Sequence, residues 1–218
     1  YFLIGEKGTG KTAYAVFMSN TDYNNTISEI KFIRETDYNK FIALKNSNNL
    51  ELSDYVSVWK VIILMLISTS IRESEIHVSV FSKRNKLNKV REAINEYYNN
   101  AFAPEIMNTF TLIENSENAY QVFSKIAGLS SKDQQTQSIS KQGFQTNLFY
   151  IQKQFEDALS QLRMNKNHVL FIDGIDIRPG SIRYNDYLTC IKGLANAVWS
   201  LNNDFFPKIK DTQGRIRV

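Results

Sequence analysis

Hydrophobic residues in this chain fall into short blocks of two kinds, separated by polar punctuation. Tyr1-Phe2-Leu3-Ile4 is an apolar run short enough to be the end of a buried strand. Ala13-Tyr14-Ala15-Val16-Phe17-Met18 follows without Gly or Pro, as a helix requires. Tyr23-Asn24-Asn25 reads as a turn, and Ile27, Ile30, Phe32 and Ile33 predict a strand near residues 26 to 34. From Asp54 to Arg72 the positions Tyr55, Val58, Trp59, Ile62, Ile63 and Leu66 recur at helical spacing. The centre of that helix is apolar nearly all round, which predicts burial against a sheet. An amphipathic helix is expected from about Lys86 to Ala103, with Leu87, Val90, Ile94, Tyr97 and Ala101 on one face and a stop near Pro104. Glu117 to Ile126 is a weaker helix candidate.

Residues 128 to 146 form a polar Gln/Ser-rich stretch, a mobile loop or a hairpin. Leu148 to Met164 is helical again, and His168-Val169-Leu170-Phe171-Ile172-Asp173 is a buried-strand run. A long helix from Tyr184 to Phe206 ends at Pro207. The order strand, helix, strand, helical insertion, strand, helix, strand predicts an α/β domain, with a mostly parallel sheet flanked by helices. Residues 1 to 218 read as one domain, with the insertion between about residues 73 and 147. The chain opens inside a strand at Tyr1, and Gly214-Arg215-Ile216-Arg217-Val218 stops as another begins. Both ends read as cut through structure, so a fragment of a longer protein is expected.

Composition adds exclusions. One cysteine, Cys190, and two histidines, His77 and His168, leave no Cys/His metal cluster and no disulfide framework. A reducing, cytoplasmic location is the default expectation. The longest apolar run, Val61 to Ile67, is too short to cross a bilayer, so no membrane segment is expected. Net charge of +4 leans weakly towards anionic partners. Trp59 and Trp199 are expected in the core or half-buried, Cys190 as a buried inert thiol, and His168 at a strand edge.

The densest chemistry is Gly5-Glu6-Lys7-Gly8-Thr9-Gly10-Lys11-Thr12, a complete G-x-x-x-x-G-K-[ST] phosphate loop between a predicted strand and a predicted helix. Glycines let backbone N–H groups close on phosphate oxygens, and the positive end of the helix beginning near Ala13 faces the same anion. Lys11 is placed to reach the β and γ oxygens, and the Thr12 hydroxyl to ligate Mg²⁺. Four constrained positions coincide by chance in about one such chain in a hundred, so nucleotide binding is the expectation. Glu6, Lys7 and Thr9 occupy the variable loop positions, with Glu6 and Lys7 facing solvent.

The run Val169-Leu170-Phe171-Ile172-Asp173-Gly174-Ile175-Asp176 fits the second half of such a site, the Walker B element. Asp173 leaves the strand at its C-terminal end, where open α/β sheets collect ligands, and is expected to share Mg²⁺ with Thr12. Asp176, three residues on, is expected to orient or deprotonate the attacking water. Without the phosphate loop the same acid would be read as a solvated strand-end carboxylate. Transporter-type ATPases place Glu where this chain has Gly174, and Leu129-Ser130-Ser131-Lys132-Asp133 matches their LSGGQ signature poorly. Asn165-Lys166-Asn167-His168 lacks the Asp that reads guanine in GTPases.

A small residue after the Mg²⁺ Asp, then an acid at the third position, resembles the STAND group of ATPases and the related KAP-type ATPases. The phosphate loop, the Trp59 helix, the Walker B strand and the terminal D-T-Q-G-R-I-R-V together resemble bacterial FunZ-type P-loop ATPases. The resemblance implies a P-loop NTPase fold of the additional-strand, AAA+-like type. It implies ATP and Mg²⁺ as ligands, and ATP hydrolysis with catalytic roles for Lys11 and Asp176. Ile216 to Val218 would begin the strand carrying the polar sensor residue. Relatives in the STAND group act as ATP-gated switches in bacterial signalling and antiphage defence. The expected partners are therefore a self-assembled copy or an effector domain.

Two further features have plain and sharp readings. Lys83, Arg84, Lys86, Lys89 and Arg91 could contact a nucleic-acid backbone, but most lie opposite the apolar stripe and read as a solvated helix face. Arg178 and Arg183 follow the Walker B strand closely enough for an arginine finger, although a loop arginine paired with a surface carboxylate is the simpler account. A nucleic-acid-stimulated motor and a nucleotide-binding scaffold with little turnover stand as alternatives to the switch.

Overall fold

The computed structural model describes residues 3–33, 51–71, 88–90, 141–176, 178–210 and 212–218. Its elements run α1 (Lys11–Ser19), β1 (Thr26–Phe32), α2 (Leu52–Ser70), α3 (Lys141–Ser160), β2 (Asn167–Asp173), α4 (Tyr184–Ser200) and β3 (Ile216–Arg217). The three strands form a parallel sheet in the order β1-β2-β3. Register is continuous along the first pair, from Thr26 opposite Asn167 to Phe32 opposite Asp173. His168 and Val169 stand opposite Ile216 and Arg217 in the second pair. A small parallel sheet flanked by helices is thus present, as the element order predicted.

The core is built around α2. Tyr55, Trp59 and every residue from Val61 to Ile67 are buried there, which accounts for the all-round apolar pattern. Helices rather than the sheet are its principal neighbours, because α2 packs on both α3 and α4. Gly193 of α4 permits the close crossing, since a Cβ there would come 2.6 Å from Tyr55 Cβ. The Trp59 indole N–H donates to the Cys190 carbonyl at 3.1 Å, satisfying the polar atom that this ring carries into the core. At the start of α2, Asp54 accepts the Glu51 backbone N–H at 2.8 Å, fixing the first turn.

Several expectations need correction. Leu3 and Ile4 form no strand and are 51% and 93% exposed, because the described ladders are made by β1, β2 and β3 among themselves. Residues 141 to 146, expected in the polar stretch, belong to α3, which ends at Ser160 rather than Met164. His168 is buried in the central strand, not at an edge of the sheet. Trp199 is 61% exposed, because the buried stripe of α4 runs through Cys190, Gly193, Leu194, Ala197 and Val198 and leaves position 199 outside it. The helix after β2 does reach Pro207, but through a wide π turn at Leu201–Phe205 and a 3₁₀ turn at Phe206–Lys208. Of the Lys86–Ala103 helix only residues 88–90 are described, and they are helical, with Val90 buried and Lys89 donating to Gln161 at 2.9 Å. The Glu117–Ile126 candidate and Lys83, Arg84, Lys86 and Arg91 lie outside the described residues.

Buried protons in this core set an alkaline limit on stability. Burial pushes the Cys190 thiol up to about 12, only partly opposed by the Trp59 hydrogen bond. Burial also raises the Tyr55 phenol, with smaller contributions from Cys190 and Asp186. Each group keeps its proton in the folded chain at pH values where the unfolded chain sheds it. The unfolded state therefore gains on the folded one as pH rises above the ordinary cysteine value of 9.0. The urea midpoint is expected to hold steady near neutrality and fall progressively from about pH 9 upwards, with a smaller fall in Cys190→Ala. A midpoint unchanged to about pH 11 would contradict that assignment.

Candidate functional site

The C-terminal ends of β1 and β2 and the N-terminus of α1 meet where the two sequence motifs predicted. Residues Gly5 to Gly10 form a tight loop, closed by the Thr9 backbone N–H and Thr9 hydroxyl donating to the Glu6 carbonyl at 3.3 and 2.8 Å. Gly8 and Gly10 take φ of 88° and 86°, the left-handed conformation that side chains resist. That conformation turns the chain straight into α1, whose ladder opens with Tyr14 N–H donating to the Gly10 carbonyl at 2.8 Å. The N–H groups of the first turn have no partner within the helix, and no acidic residue occupies that turn. This end of the helix keeps its positive character for an anion.

Lys11 folds back over the loop, its ammonium donating to the carbonyls of Gly5 and Glu6 at 2.8 and 2.9 Å. A phosphate oxygen is a stronger acceptor for that ammonium than these neutral carbonyls. The decisive contact joins the two motifs. Thr12 Oγ1 donates to Asp173 Oδ2 at 2.6 Å, across 161 residues of sequence. The other carboxylate oxygen, Oδ1, accepts the Gly174 backbone N–H at 2.7 Å. Both Asp173 oxygens are thereby aimed, one at the loop and one at the turn it heads.

That turn is clamped against β1. Ile33 N–H donates to the Asp173 carbonyl at 2.8 Å, extending the β1–β2 ladder by one bond. Gly174 lies so close to Ile33 that a Cβ would come within 2.5 Å of its carbonyl oxygen, and its φ is 83°. The glycine of D-G-h-D therefore has a spacing role the motif alone did not reveal. Asp176 stands exposed beyond it. Sequence reasoning missed Tyr187, whose hydroxyl crosses from α4 to donate to the Ile175 carbonyl. A tyrosine in the second turn of an amphipathic helix carries no sequence signal of such a bond.

Both arginines are engaged locally. The Arg178 guanidinium donates to the Ile182 carbonyl, and Arg183 pairs with Asp186 at 3.8 Å. The Thr12–Asp173 pair suits Mg²⁺, which takes hard oxygen donors and is usually held by one or two carboxylates plus phosphates and waters. Among the described residues no group of three or more His, Cys, Asp or Glu is gathered as an all-protein metal cage. No helix of the described residues is long and apolar enough to cross a membrane. Comparison with protein-family models, with curated proteins and with solved structures gave no match.

Proposed function

We propose that this chain binds ATP with Mg²⁺ and hydrolyses the β–γ phosphoanhydride bond, in a P-loop NTPase fold of the additional-strand type. The observation that carries the reading is the 2.6 Å contact between Thr12 and Asp173. A threonine from the phosphate loop and an aspartate from a central strand end have no structural need to meet at an exposed surface. Gly5, Glu6, Lys7, Gly8, Thr9, Gly10 and Ala13 present the loop and first-turn backbone to the phosphates, and Lys11 supplies positive charge to them. Thr12 and Asp173 would hold Mg²⁺, which when bound neutralises charge on the phosphate oxygens. Asp176 takes the proton from the attacking water as its oxygen bonds to the γ phosphorus and the β–γ bridge breaks. Positioning and charge stabilisation carry the rate, with no covalent intermediate on the chain.

Within this reading the ATPase acts as a switch, resembling the STAND and FunZ-type proteins, with an effector or a second copy as its partner. Calorimetric titration with Mg-ATP tests the site directly. Lys11→Ala is expected to weaken binding at least about tenfold, because a charge-assisted contact is lost at an exposed site. Unchanged affinity in that variant, or no binding in the parent chain, would reject the site. Phosphate release then separates the classes. Slow turnover raised by self-assembly supports the switch, stimulation by DNA or RNA supports a motor, and binding without release supports a scaffold.

A further inference from the structure

The turn that ends in Asp176 is held by hydrogen bonds at two places, besides the packing of the Ile175 side chain on the core, and only the first belongs to the phosphate-loop chemistry already described. Its first half, Asp173-Gly174, is fastened to β1 at Ile33. Its second half is fastened to α4 by the Tyr187 hydroxyl on the Ile175 carbonyl. The carbonyl of Ile175 and the amide nitrogen of Asp176 share one rigid peptide plane. Holding that oxygen fixes the direction of the plane and the place of the Asp176 Cα. Asp176 itself is exposed, so its location follows from the backbone before it, where the Ile175 side chain packs on the core and the Ile175 carbonyl is held by Tyr187.

We propose that Tyr187 is a positioning residue, whose hydroxyl locks the Ile175–Asp176 peptide plane and so sets where the Asp176 carboxylate stands relative to the phosphate loop. The proposal rests on the ATPase reading above. Two observations support it. The tyrosine is itself placed by α4, with its backbone N–H donating to the Arg183 carbonyl at 3.1 Å, so the anchor belongs to a rigid element and not to a loop. Its phenol is also kept protonated as a donor, because burial raises its pKa and the nearby Asp176 charge raises it further, against a lowering by Arg178.

Tyr187→Phe removes one oxygen and keeps the ring, so α4 retains its packing. The expected result is turnover reduced about tenfold to a hundredfold at saturating ATP, with Mg-ATP affinity within about twofold of the parent. The Asp176 backbone amide resonance should shift in the same variant, because its nitrogen shares the plane of the released carbonyl, a readout that needs no catalysis. In an Asp176→Asn background the tyrosine change should cost nothing more, since a plane that positions no base has no effect on rate. Parent-like turnover in Tyr187→Phe, an equal loss in both backgrounds, or an unmoved Asp176 amide resonance would each overturn the proposal. If turnover depends on Lys11 but ignores Tyr187→Phe, the Tyr187 proposal falls and the ATPase reading stands. If no turnover depends on Lys11, both fall.

Discussion

Asp173→Asn is expected to give a folded protein that still binds nucleotide and has lost about a thousandfold of its Mg-dependent turnover. The substitution is nearly isosteric, and its effect on the fold follows from the two bonds of the carboxylate. Gly174 N–H donates to Oδ1, and an asparagine carbonyl oxygen can keep that bond. Thr12 donates to Oδ2, where the asparagine NH₂ would stand instead, so the hydroxyl must turn and accept. Neither change leaves a buried group unpaired, because Thr12 is exposed, and stability should shift by no more than about 1 kcal/mol. The site loses far more. A full negative charge aimed at the loop is replaced by a neutral amide whose nearer group is a donor, and a donor repels a cation. Metal-centred charge stabilisation is worth several kcal/mol of barrier, and about 4 kcal/mol corresponds to the thousandfold loss. Phosphate release measured against Mg²⁺ concentration, beside thermal unfolding, checks both halves. Full turnover in the variant would show that Asp173 does not hold the metal.

How much of this site the sequence disclosed depended on whether each interaction had a local signature. The loop, α1, β1 and β2 were legible because glycine spacing, turn residues and apolar runs report on their own backbone. Pairing of Thr12 with Asp173 was legible because two motifs each implied the same ligand. Tyr187 was not, since the bond to Ile175 is created by the angle at which α4 leaves the turn, which no spacing encodes. Leu3 and Ile4 show the converse failure. An apolar run states that a segment wants burial, but a strand exists only where a ladder partner offers its own N–H and C=O groups. Residues 141 to 146 read as loop or hairpin because Lys, Gln, Gly and Thr around the single Phe144 make no apolar stripe, yet extending an established helix costs little where nucleating one costs much. Trp199 was misread because size was taken for burial, whereas the phase of the α4 stripe decides it.

Gly214→Ala is expected to be among the most damaging single substitutions for stability, at about 3 kcal/mol, although Gly214 lies far in sequence from either motif. The segment that leads into β3 is laid against the segment that leads into β2. Gln213 and Gly214 N–H both donate to the Met164 carbonyl, at 3.1 and 2.7 Å. Thr212 Oγ1 accepts the Met164 N–H at 2.8 Å, and Asn167 Oδ1 accepts the Arg215 N–H at 3.0 Å. His168 N–H then donates to the Arg215 carbonyl at 2.7 Å and starts the β2–β3 ladder. At the centre of this zipper a Cβ on Gly214 would lie 1.8 Å from the Lys166 carbonyl oxygen and 2.2 Å from its carbon. Those are backbone atoms at the entry to the central strand, so neither side can yield by turning a rotamer. The two segments must part, and β3, with two residues in its ladder, has little else joining it to β2. At this chain length such a loss lowers the melting temperature by about 10 °C. Gly180→Ala is the matched control, since a Cβ there meets nothing within 4 Å, and it should change stability by no more than about 0.5 kcal/mol. Equal melting temperatures for the two variants would mean that β3 is not docked on β2 through Gly214. Because Thr12 and Asp173 meet at the opposite end of β2, a Gly214→Ala protein below its melting temperature should still bind Mg-ATP, which separates the sheet's integrity from that of the site.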